Sequence, residues 1–364
     1  MNISPFKIFN AEKSNLPTKI FGGEASGIRD WDNIKYPTML DMNKAMFAEY
    51  WIEDEIKLGK DIEQYNTKLS DRERYVYNIL TGMLNTLDSV ATDFNMFLSF
   101  VTTDTSVRSN IALINAFEVL HNRSYQYLTS TMLSEAQKKE AFEEIKDIPV
   151  LQERNKFLFD KIQKFVDVTT EYIVNKKKID DYFLQVTFEA ILANQCLEGV
   201  SFTAAFVYFH SLARDQKMIG SNNLVVLIKG DEVQHSEFYG TLVRAMMGEY
   251  PQLNTEVNQE YAVNFLREYV EMEKIWAKYI FKGIETFSLR EYNNYVEYLA
   301  NLIARNAGFT EPFPENKELK SRWIVTYGSK KRDSRDSKQI VTRSDFLQTD
   351  APNYEHSSGE DYDY

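Results

Sequence analysis

Two copies of one ligand pattern stand out. Asp88 is followed by Glu118-Val119-Leu120-His121, and Glu198 by Glu232-Val233-Gln234-His235. Each lone carboxylate precedes its Glu-x-x-His by roughly 30 residues, the reach of one antiparallel helical hairpin. The set amounts to four carboxylates and two imidazoles, the ligands of a two-metal centre inside a helical bundle. On a helix, positions i, i+3 and i+7 share a face, so Glu118, His121 and Tyr125 point the same way. A phenol beside a pair of metals suggests oxygen activation, with an oxidising equivalent stored on the tyrosine.

The physical need for cations is plain. Burying one unpaired carboxylate costs several kcal/mol, and four together repel until some hold protons. Two divalent ions cancel four negative charges. Carboxylate and imidazole ligands suit iron or manganese, whereas a thiolate set would point to zinc or a cluster. Phe202 and Phe206 continue the face of Glu198, and Ile228 lies one turn before Glu232. These apolar groups would keep water from the centre. With 4 His in the chain, a glutamate meets a histidine three residues on about one time in ninety by chance. Two such pairs, each preceded by a carboxylate on an apolar helix, form a strong signal.

The elements that must carry these residues read as helices. Gly and Pro are sparse, 14 and 8 of 364 residues, and no run alternates as a strand would. The hydrophobic share of 43% predicts a packed core. Met39, Met42, Met46, Tyr50 and Trp51 recur at helical steps. Ser70 with Glu73 three residues on forms a capping box, opening a helix that carries Asp88. Further helices are predicted over residues 106–132, 179–214, 223–247, 255–287 and 289–307. A partly polar stretch rich in Lys and Glu spans 135–167. The most apolar stretch, 190–213, contains Asn194, Gln195, Glu198 and His210, so it reads as a core helix rather than a membrane span.

The fold expected is all-α, a ferritin-like helical bundle with a dimetal-carboxylate centre. Residues 1–35 read as an irregular surface arm, 36–327 as one domain, and 328–364 as a disordered tail poor in apolar groups. A net charge of −12 argues against nucleic-acid binding. The single cysteine, Cys196, and the polar opening residues fit a reducing cytoplasm.

Several segments resemble the radical-carrying small (beta) subunit of class I ribonucleotide reductase. Ile20-Phe21-Gly22-Gly23 looks like its N-terminal arm, and Leu87-Asp88-Ser89 like its first ligand motif. The run from Glu118 to Tyr125 is similar to its ligand-plus-radical helix. Leu197-Glu198 and Asp231-Glu232-Val233-Gln234-His235 resemble the remaining ligand segments. Aspartate at the first position separates this pattern from ferritins, monooxygenases and acyl desaturases, which usually have Glu there.

The resemblance implies a division of labour. Asp88, Glu118 and His121 would bind one metal, and Glu198, Glu232 and His235 the other, with Glu118 and Glu232 as bridging candidates. The cofactor would be two iron ions, or two manganese ions, and a tyrosyl radical on Tyr125. Phe202, Phe206 and Ile228 fall where the family shields its radical. Trp51 matches a near-surface tryptophan of the radical-transfer route, and Asp231 the carboxylate that hydrogen-bonds toward it and toward a metal-bound histidine. The tail would dock a separate large catalytic subunit, with Tyr354 as relay and Tyr362 and Tyr364 as competitors. A homodimer is implied, and the family leaves room for an activating flavoprotein. Two departures stand: Ile52-Glu53-Asp54 replaces a Pro-containing turn after Trp51, and Gly230 sits where larger residues also occur. Two other readings keep the same ligands: a dimetal oxidase with its own apolar substrate pocket, and a metal-storage scaffold without turnover.

Overall fold

A computed structural model describes residues 9–328. The C-terminal segment from 329 onward, including Tyr354, Tyr362 and Tyr364, lies outside the described residues. Among the described residues the chain is helical, and one isolated antiparallel bridge joins Phe21 to Thr102. In chain order the α-helices are α1 (Pro37–Ala48), α2 (Gly59–Thr67), α3 (Asp71–Val101), α4 (Thr105–Met132), α5 (Glu135–Asp147) and α6 (Pro149–Val174). Then come α7 (Asp181–Cys196), α8 (Thr203–Arg214), α9 (Ile219–Glu249), α10 (Glu256–Ile280), α11 (Leu289–Ala307) and α12 (Arg322–Tyr327).

Local chemistry explains the main boundaries. Ser70 opens α3 as expected: its hydroxyl accepts from Glu73 N at 3.2 Å, and Glu73 Oε2 accepts from Ser70 N at 2.7 Å. Asp104 opens α4, its Oδ1 accepting from Ser106 N at 2.9 Å and Val107 N at 3.0 Å. Thr102, Thr103 and Asp104 turn the chain between these two helices, which pack extensively on each other. Helix α6 lies on α7, and α7 on α9, so α3, α4, α7 and α9 surround the ligand residues.

Four element readings need correction. The polar stretch 135–167 is two helices, because Pro149 has no N–H to donate and holds Ile148 extended at φ −82°, ψ 106°. The second of them continues to Val174. Helix α9 begins at Ile219, not at 223, because Asp61 of α2 caps it from outside. Its two oxygens accept from Gly220 N at 3.1 Å and Ser221 N at 2.6 Å. The expected helix 255–287 ends at Ile280, where Arg72 of α3 donates to the carbonyls of Ile280 (2.6 Å) and Lys282 (2.9 Å). The long helix 179–214 is interrupted by a π-helical turn, Leu197–Ser201, between α7 and α8.

The N-terminal segment is irregular, but it does not merely lie on the surface. Ile20 and Phe21 are buried. Glu249 accepts from Ile20 N at 2.6 Å, and the Tyr250 hydroxyl both accepts from Phe21 N and donates to Phe21 O. The apolar stretch expected to be a core helix is enclosed by the bundle as α7, the π turn and α8. Cys196 is a buried free thiol.

Candidate metal centre

Six side chains from four helical segments converge in the bundle interior. Asp88 comes from α3, Glu118 and His121 from α4, Glu198 from the π turn, and Glu232 and His235 from α9. All are 2% exposed or less. Their ligand atoms form two overlapping groups, each within 4.8 Å: Asp88, Glu118, His121 and Glu232, and Glu118, Glu198, Glu232 and His235. Glu118 and Glu232 belong to both groups.

The histidines show how the groups face inward. His121 Nδ1 is 3.0 Å from Glu232 Oε1, and His235 Nδ1 is 3.0 Å from Glu118 Oε1. These contacts are close but poorly aligned for hydrogen bonding. Among the described residues, both oxygens of Asp88, both of Glu118, Glu198 Oε2 and Glu232 Oε1 lack a hydrogen-bond partner. Buried carboxylate oxygens are almost always satisfied. So many orphans aimed at one point fit a site built for cations.

Electrostatics gives the same picture. Burial pushes the Asp88 carboxyl well above its usual range, and the charges of Glu118 and Glu232 push it further. Burial and the same two neighbours raise Glu198. Burial would also raise Glu232, but attraction from the close imidazoles of His121 and then His235 outweighs it and holds that carboxyl low. Burial acts to lower both imidazoles, yet the surrounding carboxylates win; His235 is raised to about 9. Protons are thus drawn to where metal charge would otherwise sit.

Around the six lies a second layer. Asp231 Oδ2 accepts from Trp51 Nε1 at 2.7 Å and lies 3.1 Å from His121 Nε2. The Trp51 ring stacks on the His121 ring with centroids 6.1 Å apart and planes 17° apart. This leaves His121 Nδ1 for the cluster interior. Trp51 is 4% exposed, so the tryptophan read as near-surface is buried, just behind exposed Tyr50 and Ile52. Tyr125 is buried on the same helix as His121, and its hydroxyl has no partner. Burial pushes this phenol well above its usual range, followed by the charges of Asp88, Glu232, Glu118 and Glu198. Phe202 and Phe206 stack at 5.7 Å and line a cavity of about 40 Å³ that also touches Glu198 and Glu232. Ile228 is fully buried.

Some neighbours escaped the sequence reading. Asn194 donates to Glu198 Oε1 at 3.0 Å; its position one turn before Glu198 was a usable signal. Phe117, by contrast, was expected among the apolar groups around the ligands, and it packs against both imidazole rings, at 6.3 Å and 5.9 Å. His210 and Lys229 line the same small cavity as Phe202, and no local pattern marked them.

A helical bundle whose facing helices project a buried Asp or Glu and two Glu-x-x-His pairs defines a ferritin-like dimetal-carboxylate protein. Residues 28–320 match the family "Ribonucleotide reductase, small chain". A ribonucleoside-diphosphate reductase subunit beta from Halalkalibacterium halodurans is 31% identical over 322 residues, covering 88% of this chain and 89% of the relative. A structure assigned to class I ribonucleotide reductase from Bacillus halodurans superposes with a TM-score of 0.80 at 30% identity, over 89% of this chain and 99% of that one. The ribonucleotide reductase R2 subunit from Clostridium botulinum gives 0.81 at 27% identity, over 90% and 99%. The chain therefore belongs to the ribonucleotide reductase small-chain family, one subunit of an oxidoreductase that works together with a large one.

Proposed function

We propose that this chain holds a pair of iron or manganese ions and keeps a stable radical on Tyr125, which it passes to the large subunit for ribonucleotide reduction. The observation that carries this reading is the sharing of Glu118 and Glu232 between two four-ligand groups beside a buried phenol. When bound, the metal pair supplies the oxygen activation that oxidises the tyrosine. Asp88 and His121 complete one ion's set; Glu198 and His235 complete the other's. Glu118 and Glu232, which belong to both ligand groups, would be shared between the two ions.

The chain's own residues handle the rest. Tyr125 gives up an electron and a proton, and the Asp88 carboxylate is the charge that bears on it most strongly. Its hydroxyl has no donor or acceptor to compete. Phe202, Phe206 and Ile228 exclude water and reductants from this region. Asp231 holds His121 with its Nδ1 inward and joins it to Trp51, which gives the oxidising equivalent a hydrogen-bonded path outward. Tyr354 is the proposed relay in the C-terminal segment, which docks the large subunit. The functional unit is a homodimer, with an activating flavoprotein as a further partner.

Electron paramagnetic resonance of the metal-loaded, oxygen-exposed protein tests the core of this proposal. The parent is expected to give a phenoxyl signal, and Tyr125→Phe to lose it while binding the same metal. An unchanged phenoxyl spectrum in the substituted protein would place the radical elsewhere.

A further inference from the structure

Glu198 does not sit on a regular helix. It lies in the π-helical turn Leu197–Ser201, where the hydrogen-bond ladder is offset and carbonyls must find other donors. The Ser201 carbonyl finds one in Arg154 of α6, whose Nη2 donates to it. Arg154 is 1% exposed and its partner Glu273 of α10 is fully buried. Arg154 Nε and Nη2 both reach Glu273 Oε1, at 2.6 Å and 2.5 Å, and Nη1 donates to Asn155 Oδ1 at 2.6 Å. Tyr269 donates to Glu273 Oε1 at 2.8 Å, and its hydroxyl also meets the Ser201 hydroxyl. Tyr292 reaches Glu273 Oε2 at 3.3 Å.

A buried ion pair is weak evidence for added stability, since apolar residues of similar volume often serve as well. This one has a further outlet, through the Ser201 carbonyl and hydroxyl. The opposite side of the turn is closely packed. A methyl group at Gly199 would meet Ser236 Oγ at 2.7 Å and Ile303 Cδ1 at 2.8 Å. The turn is thus gripped from behind by the Arg154–Glu273–Tyr269 network and from in front by α9 and α11. Glu198 is also the single ligand that the turn contributes, and it belongs to only one of the two ligand groups.

We infer that Arg154, Glu273 and Tyr269 are positioning residues that fix the π turn and so deliver Glu198 to the ion it shares with His235. This inference rests on the dimetal reading above. It predicts an asymmetric effect: loss of the network weakens one ion and spares the other.

The test is a Mn(II) titration of the full-length chain, followed by the resonance of free aqueous Mn(II), with thermal melting in parallel. The parent should bind two ions per chain. Asp88→Asn assigns the steps by weakening the ion opposite Glu198. The double variant Arg154→Met with Glu273→Gln removes both charges together and keeps an acceptor for Tyr269. It should melt as a folded protein, retain the Asp88-side ion, and bind the Glu198-side ion at least tenfold more weakly. Arg154→Lys, which keeps the charge but cannot fork to two acceptors, should fall between. Equal weakening of both ions, or no weakening of either, would overturn the inference. A parent that does not bind two ions would instead defeat the dimetal reading. Should the double variant not fold, Tyr269→Phe decides: about threefold weakening confined to the Glu198-side ion supports the inference, and unchanged affinity refutes it.

Discussion

Replacing Asp231 with asparagine should separate metal holding from radical transfer. Asp231 is 2% exposed, and one oxygen serves both Trp51 Nε1 and His121 Nε2. A hydrogen bond to a charged group contributes about 1.5–3 kcal/mol and a neutral one about 1. Neutralising the acceptor under His121 therefore costs the metal–histidine bond about 0.5–2 kcal/mol, or roughly 2–30-fold in affinity. His235 offers the control, because its Nε2 has no such partner. Titration with Mn(II) should show the His121-side ion weakened by that factor and the His235-side ion changed by less than about twofold. Trp51→Phe removes the other donor but leaves the carboxylate on His121, so both ions should bind as in the parent. Its turnover with the large subunit should nevertheless be lost. If Asp231→Asn bound both ions as tightly as the parent, or Trp51→Phe weakened them equally, the second-layer argument would be wrong.

Other tests address separate parts of the chain. Removing residues 349–364 should leave the tyrosyl signal intact and abolish reductase activity with the large subunit; retained activity would exclude the tail as the docking element. Gly199→Ala should lower stability by about 1–3 kcal/mol, measured by denaturant melting, because the added methyl meets Ser236 and Ile303 inside 3 Å. Burial, helped by Lys229, depresses His210 to about 3, although Asn222 accepts from its Nδ1 at 2.7 Å. The unfolded chain takes up a proton below about pH 6.5 while the folded one does not, so stability falls as pH drops from there toward 3. Between pH 6.5 and 4.5 the loss from this group is about 2–3 kcal/mol. In apo protein His210→Gln should flatten that part of the stability–pH curve, and an unchanged slope would refute the assignment.

How much could be read from residues alone is clearest at the metal centre. Glu118, His121 and Tyr125 lie on one face because helical geometry dictates it, and the same holds for Glu232 and His235. Local capping made the start of α3 legible through Ser70 and Glu73. Two of the misread ends are closed by distant side chains, Asp61 at α9 and Arg72 at α10. No window of neighbouring residues contains that information.

Arg154 marks the same boundary at the level of function. It stands in a stretch read only as partly polar and rich in Lys and Glu, yet it is enclosed and paired with Glu273, far along the chain. Periodicity reports which face a residue takes on its own helix; it says nothing of what another helix brings against it. The ligand types, their spacing and the phenol beside them were determined along the chain. The overlap of the two ligand groups, the π turn under Glu198 and the carboxylate between Trp51 and His121 were decided only when the helices packed.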